Sequence, residues 1–157
     1  MKNLIRLSTL AIAIAAIGVP GIGSVAQAQE VQYDPSAPRI SDVEAYNDDH
    51  YFNVYTGSHG PLSFITLTPP EGANIAPNDV KVTQGDRTLD PIVYKDEGRF
   101  LIVFSEPVPP RTTLQIALDD AGINPAIASN IVNYRVAGGH IGLNQTLPYG
   151  LARITLR

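Results

Sequence analysis

The sequence contains no cysteine. This absence excludes disulfide bonds, thioether-linked haem, cysteine-ligated iron–sulfur clusters and thiol catalysis, as well as a lipid anchor on a cysteine. A domain without disulfides must be stabilised by its hydrophobic core alone. The same absence fits export from a bacterial cell better than a eukaryotic secretory route.

Long apolar runs and an excess of basic residues are also missing. After the apolar stretch at residues 7–19, no segment approaches the roughly 20 apolar residues that a membrane-spanning helix needs. Lys and Arg number 11 against 15 Asp and Glu, so the formal net charge is −4. This balance excludes a basic surface for nucleic acid and does not favour binding to anionic lipid.

The first 28 residues have the organisation of a secretory signal peptide. Lys2 and Arg6 precede the apolar stretch, Pro20 interrupts any helix, and Ala26-Gln27-Ala28 offers the small side chains that a signal peptidase requires. We predict cleavage before Gln29, which leaves 129 residues with a formal net charge of −6. The product is then secreted and resides in the periplasm, at the cell surface or outside the cell. A retained anchor helix is the alternative.

Residues 29–38 are polar and contain two prolines, which predicts an irregular lead-in before one domain at residues 39–157. Within that domain, short apolar or β-branched runs recur about every ten residues between turn signals. The predicted strands are Arg39–Tyr46, Tyr51–Tyr55, Leu62–Thr68, Val80–Thr83, Ile92–Tyr94, Arg99–Phe104, Thr112–Leu118, Ile131–Val136 and Ala152–Leu156. The pattern predicts an all-β, antiparallel, immunoglobulin-like β-sandwich of about 7–9 strands. A small β-barrel is the alternative.

Two strand patterns carry more detail. In Thr112–Leu118, Leu114, Ile116 and Leu118 alternate with Thr113, Gln115 and Ala117, which predicts one buried face. In Arg99–Phe104, Phe100, Ile102 and Phe104 lie on one face and Leu101 and Val103 on the other. Because both faces are apolar, the pattern predicts a central strand covered on both sides.

Glycine, proline and aspartate mark the predicted turns. Turn signals occur at residues 69–72, 84–86 and 138–139. Residues 95–98 predict a hairpin in which Gly98 is left-handed. The one predicted helical turn of the domain is Pro125–Ser129, with Asn124 as its cap.

Three segments resemble a known family. The chain resembles a family of small exported cyanobacterial proteins that is classified as a domain of unknown function. The resemblance lies in three segments behind a signal peptide: residues 64–73, residues 104–118 and Pro148-Tyr149-Gly150. The resemblance implies a secreted β-rich domain and assigns no catalytic residue. Arg111 stands where members of that family often have glycine, and the tail after Asn144 is shortened.

The second of these segments, residues 104–118, contains three closely spaced prolines. Pro107, Pro109 and Pro110 remove three backbone donors in four residues, which predicts an extended crossover that does not lie inside a sheet. Similar Phe-Ser-Glu-Pro-Val stretches in bacterial immunoglobulin-like modules link two strands across the sandwich. A polyproline-type ligand for a partner is the alternative interpretation.

Two groups of side chains are candidates for binding. Asp48, His50 and His59 could hold copper, zinc or calcium if the fold brought them together, although their spacing matches no standard metal motif. Tyr46, Tyr51 and Tyr55 could form an aromatic platform for a sugar. The sequence predicts no required cofactor.

Catalytic motifs are absent from the sequence. Ser105 lacks a nucleophile-elbow context, and His140 has no serine or carboxylate beside it in sequence. We therefore expect an exported, non-enzymatic β-domain that binds a protein or a cell-envelope component. The alternatives are a metal-binding or metal-delivery protein and a polysaccharide-binding module or hydrolase.

Overall fold

A computed structural model describes residues 34–124 and 130–156 of the protein. Residues 34–38, at the end of the expected lead-in, contain no strand. The predicted signal peptide and the predicted helical turn at 125–129 lie outside the described residues. No helix in the described part of the chain is long and apolar enough to cross a membrane.

The described residues form twelve strands and one short 3₁₀ helix, Pro77–Asp79. The strands are β1 (Arg39–Tyr46), β2 (Asp49–Tyr55), β3 (Leu62–Thr68), β4 (Ala73–Asn74), β5 (Val80–Gln84), β6 (Arg87–Leu89), β7 (Ile92–Asp96), β8 (Arg99–Val108), β9 (Thr113–Leu118), β10 (Gly122–Ile123), β11 (Ile131–His140) and β12 (Thr146–Thr155).

These strands make two five-stranded sheets and one small pair, β10-β4. Sheet I has the order β1-β2-β9-β5-β6, and sheet II has the order β12-β11-β3-β8-β7. Every pairing is antiparallel. The two sheets pack face to face, so the predicted antiparallel, immunoglobulin-like sandwich is confirmed and the barrel is not formed.

The core fills the space between the inner faces of the two sheets. Its members are apolar side chains at alternating strand positions, because successive side chains of a strand point to opposite faces. The prediction for β9 is confirmed, since Leu114, Ile116 and Leu118 are fully buried. Each such side chain contributes roughly 1.5–3 kcal/mol of transfer free energy on burial.

All nine predicted strands are present, and most are longer than predicted. The three strands that the sequence did not indicate, β4, β6 and β10, have two or three residues each, too few for an alternating pattern. The predicted hairpin between β7 and β8 is confirmed. Its two-residue loop is Glu97-Gly98, both with positive φ, which is the geometry of a type I′ turn.

The prediction of a turn at Gly138-Gly139 was wrong. Both glycines lie inside β11, where they pair with strands on either side. The absence of a side chain serves close packing there, because a Cβ on Gly139 would overlap the Phe64 ring and one on Gly138 would meet the Tyr149 hydroxyl. Aromatic rings that cover strand glycines stabilise such positions.

The exclusion of the proline segment from a sheet was also wrong. β8 continues to Val108 and contains Pro107. The proline is tolerated because it lies beyond the last pair with β7, at Val103, and in the interruption of the pairing with β3 between Val103 and Val108. After β8 the chain does cross from sheet II to sheet I, where β9 begins.

The expectation that β8 is covered on both sides was wrong as well. Phe100, Ile102 and Phe104 are buried between the sheets, but Leu101 and Val103 are only half-buried on the outer face of sheet II. Among the described elements, the extensive contacts of β8 are with its sheet neighbours β3 and β7.

We expect Gly138→Ala to destabilise the protein by about 1–3 kcal/mol, because the added Cβ would lie 2.5 Å from the Tyr149 hydroxyl and 2.8 Å from a Leu62 methyl group. Both neighbours are buried, so neither can move freely. Chemical denaturation measures the change. Gly122→Ala is the control, since its Cβ would come no closer than 3.9 Å to any atom. Equal losses in the two variants would contradict this explanation.

Arg111→Gly should raise the free energy of unfolding by up to about 1 kcal/mol, because the strain it relieves exceeds the entropy that glycine adds to the unfolded chain. Arg111 has a φ of 59°, a left-handed conformation that glycine adopts without steric cost. It is also the position where the resembling family often has glycine. Arg111→Ala removes the same charge but keeps the Cβ, so thermal unfolding of this variant should show no gain. A similar rise in both variants would assign the effect to charge instead.

Candidate functional site

The outer face of sheet II carries two rows of mostly apolar residues that cross all five strands. Strand register aligns the first row as Ile92, Val103, Phe64, Gly139 and Thr146. It aligns the second row as Tyr94, Leu101, Thr66, Ala137 and Pro148. We call these ten residues the sheet II face. Residues paired in this way project to the same side of the sheet.

Part of this face is open to solvent. Ile92 is 56% exposed and Tyr94 is 53% exposed, although both are large apolar side chains. Their neighbours on β8 and β3 are half-buried. The sequence signal for this face was the doubly apolar pattern of β8, which indicated cover on both sides.

Basic side chains border the sheet II face. Arg99, Arg135 and Arg153 occupy outward positions on the same side of the sheet, with one acidic neighbour, Asp96. None of the three arginines forms an ion pair with another residue in the described ranges 34–124 and 130–156. The face is therefore locally basic, although the whole chain has a formal net charge of −4.

The three candidate tyrosines lie on the outer face of the other sheet. Strand register places Tyr46, Tyr51 and Tyr55 on the same side of sheet I. Tyr46 is 73% exposed. The Arg39 guanidinium lies 4.2 Å from the centre of the Tyr55 ring and covers it. The Tyr51 hydroxyl lies 3.5 Å from the Asp49 carboxylate, and burial, followed by the charge of Asp49, raises the Tyr51 pKa.

The structure does not bring the three metal candidates together. Asp48 and His50 lie at the start of β2, whereas His59 lies four residues beyond its end. A seven-residue strand spans roughly 20 Å, so the two histidines are at opposite ends of the sandwich. Within the described part of the chain, no group of three or more histidine and carboxylate side chains is close enough to hold a metal ion.

His50 instead joins the two sheets through a buried tyrosine. It is 1% exposed, and its Nδ1 lies 2.6 Å from the hydroxyl of Tyr134 on β11. The Tyr134 ring also stacks on Phe52 at 6.1 Å between centres. Burial lowers the pKa of His50, and the charges of Asp48 and Asp49 oppose this effect. Burial raises the pKa of Tyr134.

His140 forms a second buried pair at the other end of the sandwich. Its Nδ1 donates to the carbonyl oxygen of Gly60 at 2.9 Å, and its Nε2 lies 2.7 Å from the Tyr149 hydroxyl. The exposed His59 ring is 6.4 Å away. Neither partner is a serine or a carboxylate: Gly60 lies 80 residues from His140 in sequence, and Tyr149 lies nine residues away on the next strand. For the His50 pair, the sequence signal was the alternation of Val132, Tyr134 and Val136, which places Tyr134 on the inner face of β11.

Comparisons with known proteins give no family assignment. No family model and no curated protein matches the chain. Among solved structures, the RrgA Jo.In complex is 13% identical with a TM-score of 0.48, over 76% of this chain and 77% of that chain. A cohesin module from a family 33 glycoside hydrolase of Clostridium perfringens is 10% identical with a TM-score of 0.44, over 78% and 96%.

The pilus backbone RrgB of Streptococcus pneumoniae is 14% identical with a TM-score of 0.40, over 65% of this chain and 52% of that chain. All three TM-scores are below 0.5. Similarities of this size carry no argument about what this protein binds or does.

We expect the free energy of unfolding to fall as the pH drops below about 6.5, the ordinary pKa of an unfolded histidine. Burial lowers the pKa of His50 in the folded protein, so in this window the unfolded chain binds a proton that the folded protein does not. The stabilisation is fully present above that pH and is lost toward the folded pKa. Denaturation series measure it, and His50→Gln should show a smaller fall. Parallel pH profiles would contradict the assignment to His50.

Proposed function

We propose that this protein is an exported, non-enzymatic binding domain that docks a protein of the cell envelope through the sheet II face. The observation that carries the proposal is the pair of apolar rows that crosses all five strands without cover from a described element. Contiguous exposed apolar patches on soluble domains mark interaction sites. Export itself rests on the signal-peptide pattern and on the family resemblance.

The composition of the face favours a protein partner. Exposed Tyr94 and Ile92 offer large apolar contacts at one side, and β8 offers half-buried Leu101 and Val103. Tyrosine and arginine are enriched in protein interfaces, where a few such residues supply most of the binding free energy. A rigid sheet presents these side chains with little loss of conformational entropy on binding.

Charge indicates what the partner surface contains. Arg99, Arg135 and Arg153 border the apolar rows and are unpaired in the ranges 34–124 and 130–156. A partner with an apolar strip and neighbouring carboxylates would complement both features. Such carboxylates would be partly desolvated in the complex, so arginine contacts would add specificity as well as affinity.

Site-specific crosslinking in the source cell tests this proposal. A photoreactive phenylalanine analogue replaces Tyr94 in the full-length protein, and in a matched control it replaces Ile141, which is 52% exposed but lies outside the sheet II face. We expect one discrete envelope protein to be captured from position 94 and not from position 141. Ile92→Asp should reduce that product about tenfold or more, because it places a carboxylate in the apolar row.

Three outcomes would overturn the proposal. The first is no product from position 94, and the second is the same products from both positions. The third is a product that contains only a second copy of this protein, which would make the face a self-association surface. An intact fold of each variant is checked by its thermal unfolding.

A further inference from the structure

A cavity lies at the end of the sandwich where the β1–β2 turn, the segment after β9 and the end of β12 meet. Its volume is about 460 Å³, within the range of small-molecule sites. His50 is part of its wall, together with Tyr46 and Asp48 from the turn region and Ile123 and Leu156 from the other two segments. We call it the end cavity, and it is separate from the sheet II face.

The hydrogen bond to Tyr134 determines which ring nitrogen of His50 carries the proton. The Tyr134 hydroxyl is buried, and among the described residues His50 is its one hydrogen-bond partner. The hydroxyl proton therefore has an acceptor only if it is donated to Nδ1 of His50. A neutral imidazole that accepts at Nδ1 carries its own proton on Nε2. Nε2 has no partner in the described ranges, where no buried polar side-chain atom lacks one, so Nε2 retains some accessible surface. Because His50 is part of the cavity wall, we assign this N–H as a donor to a molecule in the end cavity.

The β1–β2 turn supplies hydrogen-bond acceptors to the end cavity. Asp48 is exposed and lines the cavity, and its carboxylate oxygens can only accept hydrogen bonds. Asn47 lies beside it with a left-handed backbone, φ 54°, and offers both a donor and an acceptor. Thr155, another residue of the cavity wall, carries a hydroxyl group. Donors and acceptors thus lie around one space.

Apolar groups complete the end cavity. The side chains of Ile123 and Leu156 form part of its wall, and Tyr46, which is 73% exposed, stands at its rim. An exposed tyrosine ring beside polar side chains can pack on the C–H face of a sugar ring while those side chains bind its hydroxyl groups.

These features together select one chemical class. An anion is disfavoured because Asp48 is negative and the neutral His50 does not offset that charge. A metal cation is disfavoured because the free nitrogen of His50 carries a proton. A purely apolar molecule would leave the Nε2 donor and the Asp48 carboxylate without partners. We propose that the end cavity binds a neutral sugar residue or a similar polyhydroxylated molecule, with His50 as donor, Asp48 as acceptor and Tyr46 as stacking ring.

Protein NMR tests this proposal with glucose, galactose and N-acetylglucosamine as probes and glucuronate as the anionic comparison. We expect at least one neutral sugar to shift the amide signals of Asn47, Ile123 and Thr155, with a dissociation constant in about the millimolar range. Glucuronate should bind at least about tenfold more weakly. Tyr46→Ala should weaken the neutral sugar about fivefold or more, whereas Tyr94→Ala, the matched exposed tyrosine on the other sheet, should leave it unchanged.

A second NMR measurement tests the tautomer without any ligand. Imidazole ¹⁵N shifts should show His50 neutral with its proton on Nε2 near pH 7. A proton on Nδ1 would overturn the argument for ligand class, and so would tight Zn²⁺ binding at His50. The absence of shifts around the cavity with every neutral sugar at about 50 mM would overturn the proposal itself. Neither result bears on the sheet II face, so the two proposals fail independently.

Discussion

Burial of the two inner sheet faces against each other is the interaction on which the rest of this domain depends. No cysteine is present to crosslink the sheets, so packing of alternating apolar side chains must supply their cohesion. Near one end of that contact, Tyr134 stacks on Phe52 and is hydrogen-bonded to His50 of the opposite sheet. His140 and Tyr149 form a second buried polar pair, and no side-chain polar atom in the described part is buried without a partner.

The same packing also determines which surfaces remain for binding. A sandwich buries one face of each sheet, so the two outer faces and the two ends of the sandwich remain as surface. The outer face of sheet I is polar and partly occupied by its own contacts, such as Arg39 over Tyr55. The outer face of sheet II has apolar rows instead, and one end retains a cavity whose wall includes the core histidine. Both proposed binding regions are therefore consequences of the two-layer architecture.

Much of the fold could be predicted because its strands alternate. Leu114, Ile116 and Leu118 identified an inner face without any knowledge of the partner strand. Errors arose where tertiary packing overrode a local signal. Gly138 and Gly139 look like a turn until Tyr149 and Phe64 are placed on them, and Pro107 looks excluded from a sheet until the neighbouring strand is seen to end. The residues that cover the glycines and the strand that ends beside Pro107 are not adjacent to them in sequence, so a local pattern cannot show them.

The candidate site was less predictable than the fold, for a geometric reason. His50 and His59 are close in sequence, but a strand between them carries them to opposite ends. Conversely, Tyr134 is 84 residues from His50 in sequence and makes its closest polar contact. The doubly apolar pattern of β8 predicted cover on both sides, but on the outer face Leu101 and Val103 are only half-buried.

The edge strand β12 has a consequence for how the protein behaves at high concentration. Pro148 lacks a backbone donor, and the pairing of β12 with β11 is irregular around Tyr149, between Pro148 and Gly150. Another chain therefore cannot extend sheet II along this edge by regular main-chain pairing, which is the step that propagates fibrils from exposed edges. The domain can thus expose an apolar sheet surface while its β12 edge resists the regular addition of further strands.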